Sequence, residues 1–312
     1  MTVRVPAKVN LQLSVGAVRA DGYHDVVTVY QAVGLYDDVT ASLADSGVRV
    51  TVEGEGAGRL PLDGTNLAAR AATALAEQAG VEPDVHLHLR KGIPVAGGLA
   101  GGSADAAAAL VACDALWGLR SDQADLLGLA AGLGADVPFA LVGGTAVGAG
   151  TGAELTPALG RGRFHWVLAL ADSGLSTADV YATNDRLAAT TIRPEPRLSD
   201  RLMGALRAGD PVRLGDALEN DLQAATLTLR PQLRFTLEVG EELGALGAVV
   251  SGSGPTCAFL ARDEDHAVDL AVAIAAAGVC RTVRRAEGPV PGARLLDESR
   301  STPGGGPTGR AR

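Results

Sequence analysis

The segment "PVAGGLAGGSADAAAAL", residues 94–110, sets four glycines within the six positions 97–102 and then runs into alanines. It follows "DVHLHLRKGI", residues 84–93, where apolar and polar residues alternate and predict a strand stopped by Pro94. Downstream, Ser103 is expected to cap a helix reaching about Trp117. A glycine loop between strand and helix aims several backbone N–H groups and the positive end of the helix dipole at one point. That arrangement suits a phosphate; the plain alternative is a flexible turn. Neither familiar phosphate motif fits. G-x-x-x-x-G-K-[ST] matches Gly97 and Gly102, but Ser103 stands where the lysine belongs. G-x-G-x-x-G fails on spacing, and no first strand of a βαβ unit is evident.

Working outward, the 312 residues exceed what one core readily serves, so two domains are expected. The chain is 47% hydrophobic but 3% aromatic, so its core must be built from Ala, Val and Leu. With 27 basic and 36 acidic residues the net charge is −9, which argues against nucleic acid or an anionic membrane as partner. Cys113, Cys257 and Cys280 are few, odd in number and scattered, unlike a disulfide framework or a zinc site. No leader or membrane-spanning run is visible, and a cytoplasmic location is expected.

Before the loop, "VNLQLSV", "DVVTVYQAV" and "GVRVTVEG" read as strands, and "NLAARAATALAEQAG" (66–80) as a helix stopped by Gly80. After it, Ser121 is expected to cap a helix to about Leu133, and "FHWVLALA" (164–171) reads as a strand. The glycine-rich stretch near 148–162 marks the boundary, giving domains 1–155 and 156–287. The second is expected to hold helices near 177–189, 199–208, 211–224 and 265–277. The tail, 288–312, is rich in Pro, Gly, Ser and charge and is expected to be disordered.

The loop also fits P-x-x-x-G-L-x-x-x-S-A, a signature of the GHMP kinases, named for galactokinase, homoserine kinase, mevalonate kinase and phosphomevalonate kinase. Other segments carry the resemblance in the family's order: "PAKVNLQLSV" (6–15), "RADGYHDV" (19–26), "GADVPF" (134–139), "NDL" (220–222) and "VVSGSGPTCAF" (249–259). It covers about residues 3–285 and is closest to members whose substrate is a cytidyl diphosphate alcohol of isoprenoid precursor synthesis. The resemblance implies an α+β fold of two domains, an N-terminal ribosomal-protein-S5-like β/α domain and a C-terminal α/β sandwich, with the active site in the cleft between them. It implies ATP-dependent phosphorylation of an alcohol with Mg2+, by a monomer or homodimer. Another GHMP small-molecule kinase, for homoserine or mevalonate, is the alternative; a non-catalytic nucleotide sensor is a third reading.

Each site residue has a plain structural reading beside the one the resemblance implies. Asp136 reads as a turn or helix-cap aspartate; by resemblance it is the carboxylate that takes the hydroxyl proton, with Lys8, otherwise a surface lysine, beside it. Pro94, Val95, Ala96, Gly97, Gly98, Leu99, Ala100, Gly101, Gly102, Ser103 and Ala104 would wrap the ATP phosphates. Many family members have a second serine where Ala104 stands. Asn66 and Lys91, otherwise a helix cap and a strand-end charge, would line the nucleotide pocket. Asn10, Tyr23, His24, Thr177 and Tyr181 would bind the alcohol, the two tyrosines by stacking on the base. "SGSGPT" (251–256) reads as a second glycine nest or a tight turn, and His86 with His88 as a strand-surface pair.

Overall fold

The computed structural model describes residues 1–189 and 193–296. The first half of the chain runs β1 (Thr2–Val18), β2 (His24–Leu43), β3 (Val48–Gly54), α1 (Leu67–Ala79), β4 (Val85–Lys91), α2 (Gly101–Trp117), α3 (Gln123–Leu133), α4 (Val137–Val142), β5 (Thr145–Ala149) and β6 (Glu154–Pro157). The rest runs β7 (Phe164–Leu170), α5 (Thr177–Leu187), α6 (Asp200–Ala208), α7 (Pro211–Gly215), β8 (Glu219–Asn220), α8 (Gln223–Leu229), α9 (Gln232–Glu242), β9 (Gly247–Val250), β10 (Cys257–Ala261), α10 (Glu264–Ala277), β11 (Thr282–Gly288) and β12 (Arg294–Leu295).

The first sheet has the order β12-β1-β2-β4-β3, with β5 and β6 continuing from β2 and β8 lying parallel to β1. The second is antiparallel, β11-β7-β10-β9. Both are mixed with helices, giving the two-part α+β architecture that the resemblance implied. β6 straddles residues 155 and 156 and stays with the first sheet, to which β8 and β12 also return.

Strand alternation explains how the halves join. Phe164, Trp166, Leu168 and Leu170 of β7 face the main core, shared with the first sheet, while Val167 and Ala169 face a second cluster under α9 and α10. The Trp166 indole N–H donates to Gln31 Oε1 at 2.9 Å across this junction. The scarcity of aromatics is met by α2, where Ala106, Ala107, Ala108 and Ala109 are all buried. A helix enclosed on every side needs small residues so that neighbouring backbones can approach.

Four expectations are corrected. The helix drawn over 211–224 is two helices parted by β8, because Gly215 lies against the Leu246 backbone with no room for a side chain. α9 was not expected at all, although its buried Leu233, Thr236, Leu237 and Gly240 have helical spacing. The caps shift: Ala100 rather than Ser103 precedes α2, and Asp122 rather than Ser121 caps α3. Of the tail taken as disordered, residues 288–296 are ordered, since β12 pairs with β1 and Val290 packs beside Tyr30 and Phe139. Residues 297–312 lie outside the described residues, as do 190–192 within the stretch after α5.

Candidate active site

The glycine loop, the start of β2, α5 and the segment 251–256 enclose a cleft of about 970 Å³. Ala96, Gly97, Gly98, Ala100, Gly101, Gly102 and Ser103 form one wall. Ala100 takes a left-handed φ of 60°, which turns the chain abruptly into α2. As the first residues of that helix, Gly101, Gly102 and Ser103 have no intrahelical acceptor for their N–H groups. Ser103 lies inside the first turn and not at the cap, and it lines the cleft wall. Gly98 has φ 78°, and a Cβ there would sit 2.1 Å from the Ser251 carbonyl oxygen. Only glycine fits so close an approach. The Ser251 hydroxyl donates to the Gly98 carbonyl at 3.0 Å, and the Thr256 N–H to the Gly97 carbonyl at 3.2 Å, so the second glycine segment braces the first.

Lys8 projects from β1 into the deep end of the cleft and is buried. Its ammonium donates to Asn10 Oδ1 at 2.5 Å and stands 3.6 Å from Asp136 Oδ2. A buried cation needs such partners, because desolvation penalises an unpaired charge. Asn10 is fixed in turn by donating to Thr28 Oγ1 at 2.8 Å. Asp136 precedes α4 with its side chain making no capping bond, so its carboxylate remains available to the cleft. Burial, reinforced by the charge of Asp136, raises the Tyr30 phenol well above its usual range and pushes Tyr181 up to about 12. Two neutral phenols therefore flank the carboxylate.

At the other end, His24 opens β2 and its Nε2 lies 2.9 Å from Asp185 Oδ1. The Tyr181 ring packs against His24 with centroids 4.9 Å apart. Tyr23 is 65% exposed at the rim, an apolar ring in water unless something stacks on it. Thr177 begins α5, capped by Ser176, and its hydroxyl is 2.9 Å from that of Ser253.

Thus Lys8, Asn10, Tyr23, His24, Asp136, Thr177 and Tyr181, up to 173 positions apart in the chain, line one cavity with most of the glycine loop. Six of the expected nucleotide contacts do not line it. Asn66 spends its side chain capping α1, accepting from Ala68 N and donating to the Pro61 carbonyl. Lys91 is enclosed behind the loop between Asp37 and Asp105. Leu99 and Ala104 point into the core, while Pro94 and Val95 face a separate small hollow. The apolar contacts available to Leu99 and Ala104 in the core outweigh exposure to a polar cleft. His86 and His88 both bond the Thr51 hydroxyl on the strand surface.

Sequence reasoning missed Asp185 and Tyr30, and singled out no residue within "SGSGPT", of which Gly252, Ser253 and Gly254 line the cleft. Asp185 could have been found, standing one helical turn from Tyr181. It also passed over the work of "NDL": Asn220 donates to the carbonyls of Val250 and Gly252, both at 2.7 Å, and Asp221 accepts from Val15 N at 2.8 Å.

Comparison with known proteins identifies the family. The family model for the GHMP kinases N terminal domain matches residues 66–144, and that for the GHMP kinases C terminal matches 202–280. The chain is 58% identical to a 4-diphosphocytidyl-2-C-methyl-D-erythritol kinase of Streptomyces avermitilis, over 95% of this chain and 99% of the other. A protein of the same name from Thermobifida fusca is 57% identical, over 95% and 98%. A crystal structure of 4-(cytidine 5'-diphospho)-2C-methyl-D-erythritol kinase superposes with a TM-score of 0.75 at 33% identity, over 92% of this chain and 98% of that one. Homoserine kinase from Cytophaga hutchinsonii shares the fold, with a TM-score of 0.74 at 20% identity. On sequence and fold alike, the chain belongs to the GHMP kinase family.

Proposed function

We propose that the chain transfers the γ-phosphoryl group of ATP to the 2-hydroxyl of 4-diphosphocytidyl-2-C-methyl-D-erythritol, giving the 2-phosphate and ADP in non-mevalonate isoprenoid precursor synthesis. The observation that carries the reading is the place of the Lys8–Asp136 pair, where the glycine loop meets a chamber walled by His24 and Tyr181. A homoserine or mevalonate kinase has no base to seat in such a chamber.

Phosphoryl transfer asks a protein mainly for positioning and charge neutralisation. The N–H groups of Gly101, Gly102 and Ser103 would hold phosphate oxygens at the start of α2. Asp136 would accept the proton of the attacking hydroxyl, and Lys8 would offset negative charge building on the transferred group. Asn10 holds the lysine side chain toward this point. Tyr23 and Tyr181 would stack on the cytosine, leaving His24 to bond its edge. With Lys8 the one lysine or arginine on the cleft wall among the described residues, further positive charge must accompany the nucleotide.

Among the described residues no group of three or more His, Cys, Asp or Glu could cage a metal ion. The Ser103 hydroxyl and the Asp136 carboxylate suit Mg2+, which takes most of its ligands from water and phosphate. Bound with ATP, it would neutralise charge on the β- and γ-phosphates. No helix among the described residues is long and apolar enough to cross a membrane, and we place the reaction in the cytoplasm, in a monomer or homodimer.

The deciding experiment offers the purified protein Mg-ATP with the cytidyl alcohol, mevalonate or homoserine. Turnover is expected on the first alone; turnover on mevalonate or homoserine but not the cytidyl alcohol would refute the reading.

A further inference from the structure

Behind the glycine loop, three ionisable side chains are sealed from solvent. Lys91 ends β4 with its side chain 1% exposed, and its ammonium meets Asp37, Asp105 Oδ2 at 2.5 Å and the Gly101 carbonyl at 3.3 Å. Three acceptors match its three N–H donors. The other oxygen of Asp37 accepts from Gly92 N at 2.7 Å and Ile93 N at 2.9 Å. The loop thus leaves β4 at residues tied to Asp37 and re-enters α2 at residues tied to Lys91. None of the three side chains reaches the cleft.

We propose that Lys91, Asp37 and Asp105 are positioning residues that clamp both ends of the glycine loop and so hold its N–H groups in the arrangement that binds the triphosphate. The proposal rests on the nucleotide site described under Proposed function.

A buried ionic cluster is a poor way to add stability, since apolar residues of similar volume do as well. Its usefulness lies in geometry: one ammonium fixes two chain segments with directional bonds. Among the described residues Asp105 Oδ1 has no hydrogen-bond partner, and burial, helped by Asp37 on the same ammonium, pushes this carboxyl well above the usual carboxylate range. A carboxyl held toward its neutral form lessens the negative charge placed behind the phosphates.

The test is the affinity for a non-hydrolysable ATP analogue with Mg2+, measured by calorimetry. In Lys91→Met/Asp105→Leu, cation and acid leave together, so the interior keeps no unpaired ammonium. This variant is expected to lose about tenfold or more in analogue affinity, because a loop displaced by about 1 Å misplaces the groups it presents. Affinity for the cytidyl alcohol should stay within about twofold, since the cluster touches nothing at that end. Asp105→Asn, whose amide oxygen still accepts from Lys91, should retain analogue affinity within about twofold. Should the double variant fail to fold by circular dichroism, Asp105→Ser, too short to reach the ammonium, is read by the same criterion. Unchanged analogue affinity in whichever of these folds, or an Asp105→Asn variant as impaired as the double, would overturn the proposal. Because binding needs no turnover, a protein that binds the analogue yet ignores the cytidyl alcohol would refute the substrate and leave the clamp standing.

Discussion

Asp136 makes no capping bond and sits 3.6 Å from a buried lysine, so its carboxylate is held by position and not by structure-forming work. Asp136→Asn is therefore expected to fold normally and bind the ATP analogue, with kcat lower by about 10²-fold or more because the base is gone. A normal kcat would remove Asp136 from the chemistry. Tyr23, exposed at the rim, is proposed to stack on the base of the alcohol; Tyr23→Ala should then raise the KM of the cytidyl alcohol by about tenfold and leave that of ATP nearly unchanged. Equal changes in both would contradict the stacking role. Asp105 makes a prediction in pH. Burial raises its carboxyl in the folded chain, to about 8, against about 3.9 when unfolded, so between these values the native state binds the extra proton. Wild-type stability should accordingly fall relative to Asp105→Asn as pH rises from about 5 to 8, and the gap should level above that. Lys91 and Asp37 face this carboxyl in both proteins, so they largely cancel in the comparison; parallel denaturant midpoints across the range would count against it.

Among elements, the unit β4, glycine loop and α2 was the most legible, because alternation, a proline stop and clustered glycines are all local signals. What local signals could not convey is what the loop leans on. Gly98 is required by Ser251, 153 positions away, and Lys91 is engaged by Asp37, 54 positions upstream. Neither the plain reading of that lysine as a strand-end charge nor the pocket-lining role implied by the resemblance names these partners, because both acids lie far from it in the sequence or beyond the loop. The split between α7 and α8 has the same origin, in the approach of Gly215 to Leu246, whereas α9 carried a readable pattern. The brace between the two glycine segments can be tested directly. Gly98→Ala places a methyl 2.1 Å from a carbonyl oxygen on a backbone at φ 78°, and should cost about 2–4 kcal/mol from the strained dihedral and overpacking together. Denaturant unfolding reads this, and a loss below about 0.5 kcal/mol, typical of an unconstrained surface site, would mean that the segments are not braced.

On the scale of the whole molecule, a cleft between two sheets is only as well defined as the contact that joins them. Here one apolar core runs through both: Val5, Val9 and Leu11 of β1 belong to the same cluster as Trp166, Leu168 and Leu260 of the second sheet. Strand alternation made β7 recognisable from sequence, but nothing local told which of its faces would meet the first sheet. A continuous core couples the halves, so they should unfold together despite a chain length at which domains often separate. The link most open to test is the buried bond from the Trp166 indole to Gln31. Trp166→Phe keeps an aromatic ring in the core but leaves the Gln31 oxygen without its donor, which should cost about 1–3 kcal/mol. Both proteins should show a single transition in which circular dichroism and intrinsic fluorescence coincide, displaced to lower denaturant in the variant. Two separated transitions in the wild type would mean that the sheets fold independently, and that the cleft is set by the linkers instead of by the shared core.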